Sequence, residues 1–391
     1  MSEKRIALIA VPVCVSRASE LAAAIERASR VADIIELRFD CLDETQLDEA
    51  RSNLGALMEA SAGRPFIFTF RPSEEGGRRA IGIDVRAGFW RQAAKDWREG
   101  EYRAPAFADV ELELFERHAF SSSTFAFSSS TFEECQVICS HHDFDGVPAD
   151  LEEIYERMTH TPAHVLKIAF RAGDITDCVA VFRLLARARR EGRKLIAVAM
   201  GGAGVTTRIL GPSRGAFLTY GSLDESQATA PGQIGADELR SLYRVGSLDE
   251  HTFITGLVGS PVAHSLSPLI HNAAFRAREL NGVYLPFEVG DVGEFVRRMV
   301  HPRTREFDWN LRGFGVTAPH KTEIMKHLDE IELTAREVGA VNTVVVRDGR
   351  LVGDNTDAAA ALIPLQGLLE ISGARVAVIG AGGAARALLR S

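Results

Sequence analysis

The sequence predicts an α/β protein that begins with a (β/α)8 barrel, and three observations carry this prediction. Eight apolar runs of strand length recur in the first 245 residues, and segments with apolar residues at helical spacing separate them. Strands that alternate with helices predict right-handed βαβ units around a parallel sheet. Eight such units in roughly 240 residues fit a TIM barrel, which usually takes about 250 residues.

The eight predicted strands are rich in β-branched and aromatic residues, as expected of buried parallel strands. They cover residues 6–15, 34–39, 66–70, 106–114, 135–140, 164–170, 195–200 and 216–220. The predicted helices cover residues 18–32, 44–60, 87–98, 151–159, 175–191 and 237–243. The pattern is weakest at 112–135, where a tandem Ala-Phe-Ser-Ser-Ser-Thr-Phe repeat at 119–132 disfavours a regular helix. A distorted crossover is predicted there.

Composition and charge limit the classes of function. Of the 391 residues, 46% are hydrophobic and 25% are charged, which is typical of a soluble protein with two or three globular domains. The net charge of −8 gives no electrostatic reason to expect binding to nucleic acid or to an anionic membrane. No apolar run approaches the ~20 residues of a membrane span, and the N-terminus lacks the features of a signal peptide. A cytoplasmic protein is predicted.

The five cysteines are odd in number and lack CxxC spacing, which indicates a reduced, cytosolic protein. Cys135 and Cys139 lie close to His141 and His142, a grouping that could hold a metal ion. Alternate residues of a strand share one face, however, so packing explains this spacing better. No metal is predicted.

Lys167 lies in the middle of the predicted strand 164–170, where a charged residue is unusual. By itself, this lysine is best explained as a residue near a strand end that extends its ammonium group to solvent. The alternative is a Schiff-base lysine, because burial in an apolar barrel favours the neutral, nucleophilic amine.

Polar residues at the ends of the other strands favour the second explanation, because the carboxyl ends of barrel strands form the active site. These residues are Glu36, Arg38, Asp40, Arg71, Glu75, His142, Arg208, Thr229 and Gln233. Arginines at this face indicate an anionic, hydroxylated small substrate that is bound through its carboxylate. A lysine with a histidine in reach indicates imine formation followed by proton transfer.

Five segments occur in the order typical of one enzyme family. They are Glu36-Leu-Arg38-Phe-Asp40, Phe68-Thr-Phe-Arg71, Ser140-His-His-Asp-Phe144, Val165-Leu-Lys167-Ile-Ala169 and Ala230-Pro-Gly-Gln233. With these segments, residues 4–243 resemble the type I 3-dehydroquinate dehydratases. The resemblance implies that Lys167 forms a Schiff base with the ring ketone of 3-dehydroquinate. It implies that His142 removes the neighbouring proton and then protonates the departing hydroxyl.

The same resemblance implies that Glu75 orients His142 and that Arg208 binds the substrate carboxylate. The residues implied to hold ring hydroxyls or to close over the substrate are Glu36, Arg38, Arg71, Thr229 and Gln233. His141 departs from the family pattern and is interpreted as structural or solvent-facing, whereas Thr229 replaces a serine and keeps its hydroxyl. No cofactor is implied for this reaction. A class I aldolase is the alternative, but it usually needs a phosphate site, and only Gly201-Gly202 suggests one.

A second pattern begins after a polar linker near residue 246. A predicted strand ends at Gly259, and a predicted helix begins at Pro268 with Ser267 as its cap. The hydroxyls of Ser265 and Ser267 near this helix N-terminus suit a carboxylate ligand. A strand at 311–316 then leads into polar residues that follow at intervals, namely Thr317, Lys321, Asn342 and Asp357.

This ordered set resembles the substrate domain of shikimate dehydrogenase, from residue 254 to the end of the chain. The resemblance implies that Lys321 and Asp357 are the catalytic pair, with Lys321 exchanging a proton with the substrate oxygen as hydride moves. The implied substrate ligands are Ser265, Ser267, Thr317 and Asn342. Gly315 and Ala360 depart from the family pattern.

A glycine-rich turn follows a predicted strand at 375–379 and opens a helix, as in a dinucleotide-binding motif. The resemblance implies that NADP is bound by Gly380, Ala381, Gly382, Gly383 and Ala384. The residues that recognise the ribose follow such a turn by about 20 positions and lie beyond Ser391. An incomplete site, a poorly packed segment at 370–391 and dehydrogenase activity only in a longer form are therefore expected.

The predicted organisation has three parts: a dehydratase barrel at 1–245, a substrate-binding α/β domain at 252–360 and the start of a Rossmann domain at 372–391. The predicted function is a multifunctional enzyme of the shikimate pathway, both lyase and oxidoreductase, which serves aromatic amino acid biosynthesis. Its expected partners are 3-dehydroquinate, 3-dehydroshikimate and shikimate, and a homodimer is an open alternative. A non-catalytic quinate or shikimate sensor is the alternative function, although Lys167 together with His142 speaks against it.

Overall fold

The computed structural model describes residues 7–119, 135–224, 229–366, 370, 373, 375–380 and 382–390. The chain divides into two compact units. The first contains Met1–Gly173 and Ala180–Ser247, and the second contains Asp174–Val179 and Leu248–Ser391.

Eight parallel strands form the sheet of the first unit. They are Ile9–Val13 (β1), Ile34–Arg38 (β2), Phe66–Thr69 (β3), Phe107–Glu111 (β4), Gln136–Asp143 (β5), Val165–Arg171 (β6), Lys194–Met200 (β7) and Thr219–Tyr220 (β8). They lie side by side in the order β7-β6-β5-β4-β3-β2-β1-β8. A parallel bridge between Leu195 of β7 and Ala216, just before β8, nearly closes the ring. The predicted eight-stranded barrel is confirmed.

Helices connect the strands of this barrel. They are Leu21–Ser29 (α1), Leu47–Ser52 (α2), Leu54–Glu59 (α3), Ile83–Glu99 (α4), Leu112–Ala119 (α5), Leu151–Thr159 (α6), Cys178–Arg190 (α7), Val205–Leu210 (α8) and Ala236–Ser241 (α9). The predicted helix at 44–60 is divided at Asn53 into α2 and α3. The predicted strand at 106–114 is too long, because Leu112 already begins α5. Of the tandem repeat, residues 120–132 lie outside the described part of the chain.

The barrel interior is apolar towards the beginning of the strands. Ala10, Ile34, Ile67, Phe107 and Val165 are among the buried residues of one cluster there. Side chains two residues apart on a strand point to the same side, so Lys167 projects into the same interior as Val165. The polar residues at the carboxyl ends of the strands therefore lie next to an apolar core.

The second unit contains a mixed sheet of six strands. They are Phe253–Gly259 (β9), Gly282–Glu288 (β10), Leu311–Val316 (β11), Glu330–Ile331 (β12), Thr343–Arg347 (β13) and Arg350–Asp354 (β14), in the order β10-β9-β11-β13-β14-β12. Strands β10, β9 and β11 are parallel, and β13 is antiparallel to both β11 and β14. Its helices are Ser267–Ala277 (α10), Val292–Phe295 (α11), Leu333–Val338 (α12), Asp357–Gln366 (α13) and Gly383–Arg390 (α14). Trp309 is fully buried and packs its ring on Phe287.

Two predictions for this unit are wrong in detail. The residue that caps α10 is Leu266, without a side-chain hydrogen bond, whereas the predicted cap Ser267 is already helical. The predicted strand at 375–379 is not a strand, and Val376 and Ile379 are 75% and 100% exposed. A parallel strand needs a neighbour for its backbone hydrogen bonds, and no described strand lies beside this segment. In helix α14, Ala387 is buried against Val338 and Ala340, whereas Leu388 and Leu389 are 41% and 73% exposed, so this helix is only partly packed.

The prediction that the cysteines are reduced is wrong for one pair. Cys14 and Cys41 form a disulfide, with their Cα atoms 5.3 Å apart. Strands β1 and β2 are parallel neighbours, so the segments that follow them bring these two cysteines together. The other three cysteines are buried. Within the described residues, no group of three or more His, Cys, Asp or Glu side chains could hold a metal ion, and no helix could cross a membrane.

Candidate active site

A cavity lies inside the barrel, where the strands end. Every barrel residue to which the sequence assigns a catalytic or substrate-binding role lines it. These residues are Glu36, Arg38, Arg71, Glu75, His142, Lys167, Arg208, Thr229 and Gln233. Side chains from six different strands or the loops after them therefore meet in one place, as the barrel prediction requires.

Lys167 is buried in this cavity, with 7% of its surface exposed. Its Nζ donates hydrogen bonds to Asp109 Oδ2 at 2.8 Å and to the hydroxyl of Tyr220 at 3.1 Å. Glu36 Oε1 lies 3.6 Å from the same nitrogen. The side chain thus stays within the barrel, and its nitrogen faces the space that a substrate would fill.

His142 lies on β5 between Glu75 and Arg71. Its Nδ1 is 3.1 Å from Glu75 Oε2, while Arg71 Nη1 is 2.6 Å from Nε2 and also contacts Nδ1. Burial, and then the positive charges of Arg71 and Lys167, lower the pKa of His142 well below its usual value. The imidazole is therefore neutral at neutral pH and can accept a proton, as a general base must.

Glu75 belongs to a buried group of charged residues beside His142. Burial, and then the negative charge of Glu111, raise the pKa of Glu75, and burial likewise raises the pKa of Glu111. Glu111 is partly compensated by Arg86, whose Nη1 donates to its Oε2 at 3.2 Å. Arginine can only donate, so the neutral ring accepts from Arg71 at Nε2 and donates its Nδ1–H to Glu75 Oε2, which fixes the orientation of the ring.

Two arginines of the cavity differ in their partners. Arg38 donates two hydrogen bonds to Asp40, of 2.8 and 2.6 Å, which hold its guanidinium in a bidentate ion pair. Arg208 is 2% exposed, and its Nε has no hydrogen-bond partner in the described part of the chain. Burial lowers the pKa of Arg208 to about 10, so it remains a cation at neutral pH. A buried cation without a carboxylate partner is suited to bind an anionic ligand.

The loop after β8 covers the cavity with Thr229 and Gln233. Gln233 Oε1 accepts hydrogen bonds from the backbone N–H of Thr229 at 2.8 Å and from its hydroxyl at 3.3 Å. The loop is attached to the loop after β7, because the N–H of Gly201 donates to the carbonyl of Pro231 at 2.9 Å. These contacts hold Gln233 at the cavity.

Sequence reasoning missed two residues that contact Lys167, namely Asp109 and Tyr220. Asp109 is fully buried on β4, and its Oδ1 accepts a hydrogen bond from Arg71 Nη2 at 2.7 Å. The signal was present, because Asp109 and Glu111 alternate within an otherwise apolar run and so share the inward face. Tyr220 ends β8 and resembles an ordinary core aromatic residue, so the sequence contains no comparable signal for it.

The second unit brings together three of its predicted site residues. Lys321 Nζ donates to Asp357 Oδ2 at 2.7 Å, and Asn342 Nδ2 donates to Asp357 Oδ1 at 2.7 Å. Asp357 is the first residue of α13, and Asn342 directly precedes β13. The ammonium group of Lys321 is thus held by a carboxylate that is itself fixed by an amide.

The other predicted residues of this unit lie on neighbouring elements. Ser265 Oγ accepts a hydrogen bond from the N–H of Ser267 at 3.2 Å, and Thr317 follows β11. A side chain at Gly315 would lie 3.2 Å from Leu257 Cδ1, so the space there suits glycine. Ala360 is exposed within α13, where alanine favours the helix.

The predicted cofactor residues do not form a dinucleotide-binding motif. Gly380 has a positive φ of 114° and Gly383 begins α14, but residues 375–380 form no strand in front of them. Gly382 and Ala384 are exposed, and Ala381 lies outside the described residues. The described residues therefore do not fit NADP as they stand.

The fold and the cavity define a TIM-barrel protein with a buried lysine, a neutral histidine and a buried arginine at the strand ends. The chain belongs to the type I 3-dehydroquinase family, whose model matches residues 9–250. Residues 257–344 match the model of the shikimate dehydrogenase substrate binding domain.

Known proteins support both assignments. The bifunctional 3-dehydroquinate dehydratase/shikimate dehydrogenase of Arabidopsis thaliana chloroplasts is 31% identical, and the match covers 98% of this chain and 63% of that protein. The shikimate dehydrogenase (NADP(+)) of Carboxydothermus hydrogenoformans is 42% identical over 36% of this chain and 49% of its own length. This chain therefore spans less than two thirds of either relative.

A solved structure supports the fold of the barrel. It is the type I 3-dehydroquinate dehydratase of Clostridium difficile, which carries covalently modified comenic acid. The match has a TM-score of 0.51 at 26% identity and covers 63% of this chain and 93% of that one.

Proposed function

We propose that the barrel dehydrates 3-dehydroquinate to 3-dehydroshikimate through a Schiff base on Lys167. The observation that carries this proposal is the cavity itself, where a buried primary amine, a neutral imidazole and a buried arginine meet. Membership of the type I 3-dehydroquinase family supports the choice of substrate and makes the aldolase alternative unnecessary.

Substrate binding depends first on the positive charge of Arg208. The guanidinium of Arg208 binds the carboxylate of 3-dehydroquinate, because its Nε has no hydrogen-bond partner among the described residues. Glu36, Arg38 and Arg71 contribute hydrogen bonds to ring hydroxyls from the strand ends. Thr229 and Gln233 close the cavity from the loop after β8 and limit the access of water.

Imine formation joins Lys167 to the ring ketone. Lys167 gives one proton to neutral His142, and its nitrogen then attacks the carbonyl carbon to form a carbinolamine. His142 returns the proton to the carbinolamine hydroxyl, which leaves as water. The product is an iminium ion that carries the positive charge the lysine had before, so charge and atoms balance.

Elimination follows from the electron demand of the iminium ion. His142 removes the proton from the carbon next to the iminium carbon, and the C–H electron pair moves into the C=N bond to give an enamine. The enamine pushes out the neighbouring hydroxyl, which takes the proton from His142 and leaves as water. Glu75 orients His142 through both transfers.

Hydrolysis completes the cycle. A water molecule adds to the conjugated iminium ion, the C–N bond breaks and protonated Lys167 is restored. The net change is 3-dehydroquinate to 3-dehydroshikimate plus one water. Each group of the protein ends in its starting protonation state, so the barrel needs no cofactor.

For the second unit, we propose binding of 3-dehydroshikimate and shikimate, with Ser265 and Ser267 at the carboxylate and Thr317 and Asn342 at ring hydroxyls. Lys321 exchanges a proton with the substrate oxygen, and Asp357 holds Lys321 in place. Relatives named shikimate dehydrogenase (NADP(+)) support NADP(H) as the hydride carrier. The whole would serve the shikimate pathway and aromatic amino acid biosynthesis.

The organisation proposed for this enzyme keeps the boundaries 1–245, 252–360 and 372–391. A cytoplasmic location and a homodimer stay predictions.

The proposal is tested with purified protein and 3-dehydroquinate, by following the ultraviolet absorbance of the conjugated product. His142→Gln is expected to lower kcat by about 10²–10⁴-fold, the usual contribution of a general acid–base group. His141→Gln is the matched control: the neighbouring histidine does not line the cavity, so activity should stay within about twofold of wild type. A folded wild-type protein that leaves 3-dehydroquinate unchanged would contradict the proposal.

A further inference from the structure

Asp109 is a buried carboxylate that the proposed steps do not use. It is fully buried on β4 and is not one of the described residues that line the cavity. Its two oxygens have different partners: Oδ1 accepts from Arg71 at 2.7 Å, and Oδ2 accepts from Lys167 Nζ at 2.8 Å. A buried charge is costly unless it is paired, and here one of its partners is the nitrogen that reacts.

We propose that Asp109 is the counterion of the imine at Lys167 and keeps that nitrogen protonated through elimination. This inference rests on the proposed imine chemistry. A neutral imine is a poor acceptor of the C–H electron pair, whereas the protonated iminium ion is a good one. The nitrogen must therefore keep its proton inside a barrel that otherwise disfavours charge.

The positive charge on this nitrogen appears twice in the cycle. It forms first when the carbinolamine loses water, and it disappears when the C–H electron pair enters the C=N bond. It forms again when the enamine expels the hydroxyl, because the nitrogen lone pair returns to the C=N bond. An anion fixed at 2.8 Å stabilises both iminium ions, and its position is set before the reaction begins.

Asp109 remains an anion throughout the working range of pH. Burial alone would raise its pKa, but the attraction of Arg71 and then of Lys167 lowers the pKa of Asp109 to about 2. Tyr220 cannot replace it, because burial, and then the charges of Glu36 and Asp109, raise the pKa of Tyr220 well above 10. The phenol is neutral and only accepts a hydrogen bond from the amine.

Other charged or titratable groups around this ion pair come from several elements of the barrel. They are Glu36 and Arg38 on β2, Arg71 and Glu75 after β3, Glu111 on β4, His142 on β5, Arg208 on α8 and Tyr220 on β8. Of these, Glu36 is the competing counterion at 3.6 Å. It lines the cavity and accepts a hydrogen bond from the hydroxyl of Thr69 at 2.9 Å, which favours a role in binding substrate.

The test compares two hydride reagents on wild type and Asp109→Asn in the presence of 3-dehydroquinate. Cyanoborohydride reduces only the protonated imine, whereas borohydride reduces the imine more generally. Without the anion the iminium ion loses its proton at lower pH. Cyanoborohydride trapping by Asp109→Asn should therefore decline at a pH at least one unit lower than in wild type, with kcat at least tenfold lower and KM within about threefold.

Matched variants keep the result interpretable. Asp96→Asn also removes an aspartate that is paired with an arginine, Arg51, at 2.6 Å, but outside the cavity, so its trapping profile should match wild type. If Asp109→Asn does not fold, Asp109→Ser replaces it in the same test, because the serine side chain is smaller and leaves room for water. Glu36→Gln should raise KM for 3-dehydroquinate. Its trapping by cyanoborohydride should decline at the same pH as in wild type.

An unchanged pH profile in the Asp109 variant would overturn the inference, as would a shift seen only in Glu36→Gln. Failure of the inference differs from failure of the proposed function. If wild type forms no adduct with either reagent, the imine chemistry itself is wrong. If wild type is trapped at Lys167 and Asp109→Asn behaves identically, only the counterion role is lost.

Discussion

Lys167 and His142 depend on charges that surround them inside the barrel. Arg71 links the two groups, since it contacts the ring of His142 and donates to Asp109, which in turn accepts from Lys167. In a buried site such charges act at short range and with little screening by solvent. The protonation state of His142 is therefore set by its burial and its neighbours.

The depressed pKa of His142 predicts the acid side of the pH–rate profile. Burial and then the positive charge of Arg71 lower the pKa of His142, because both favour the neutral ring. The base form of His142 therefore persists at pH values below its usual pKa of 6.5. The decline of kcat/KM with falling pH should thus lie below pH 6.5. A steady-state profile between pH 4 and 9 measures it, and a decline centred at or above about 6.5 would contradict the assignment.

The lowered pKa of Asp109 predicts how its contribution to stability changes with pH. Its folded value is about 2 and its usual value is 3.8, so the contribution is present above about pH 4 and is lost as pH falls through about 2. Asp109→Asn should lower the free energy of unfolding by roughly 2 kcal/mol at pH 7. Urea unfolding at several pH values would measure the difference in the free energy of unfolding between wild type and Asp109→Asn. If this difference did not become smaller between pH 4 and pH 2, the ion pair would be contradicted.

At the scale of elements, the loops after the strands place the functional groups. The loop after β8 approaches the loop after β7 closely. A side chain at Gly232, whose φ is +66°, would lie 2.1 Å from the carbonyl oxygen of Gly201. Only glycine satisfies both the positive φ and this contact.

Gly232→Ala should therefore displace Gln233 and raise KM for 3-dehydroquinate several-fold, at least about threefold by the loss of one hydrogen bond. Gly192→Ala is the control, because Gly192 has a similar φ of +68° but no atom within 4 Å of the added carbon. Both variants carry the same backbone strain, and only the first should alter kinetics. Equal KM values in the two variants would show that the contact with Gly201 is unimportant.

The disulfide between Cys14 and Cys41 joins the ends of β1 and β2. It closes a loop with a sequence separation of 27 residues. Chain entropy predicts that such a link stabilises the oxidised protein by about 3–4 kcal/mol. Thermal unfolding with and without a thiol reductant measures the effect in wild type, and Cys14→Ser should show no response to reductant. If the reductant lowered the unfolding temperature of both proteins equally, the disulfide would not be the cause of the stabilisation.

The strands and the site residues on them differ in how well the sequence predicts them. Apolar runs predicted all eight strands, because burial on both faces leaves a strong pattern, and strand ends then located the cavity residues. The disulfide was not predicted, since cysteine spacing does not reveal which strands are neighbours. Asp109 and Tyr220 were missed because their importance comes from contact with Lys167 across the barrel, which depends on strand register and not on local sequence. The segment at 375–379 has the composition of a strand but lacks described neighbours.

At the scale of the whole molecule, two units carry two separate sets of polar residues. The barrel contributes the lysine–histidine cavity, and the second unit contributes the Lys321–Asp357 pair. Each set is built from residues of its own unit. The two proposed activities should therefore respond to different substitutions.

Lys321→Met should weaken binding of shikimate to the second unit and leave dehydration of 3-dehydroquinate within about twofold of wild type. Lys326→Met is the control, because Lys326 is exposed and its ion pair is with Glu323, three residues earlier in the chain. Calorimetric titration with shikimate and the dehydration assay give the two readouts. A large loss of dehydration in Lys321→Met alone would show that the units do not act separately.

The central claim is that Lys167 becomes covalently bound to its substrate. The most direct measurement is mass spectrometry of the protein after incubation with 3-dehydroquinate and borohydride, followed by peptide mapping. We expect one adduct per chain, on the peptide that contains Lys167, and no adduct in Lys167→Met. A folded, active protein that acquires no adduct, or acquires it at another lysine, would rule out the imine at Lys167.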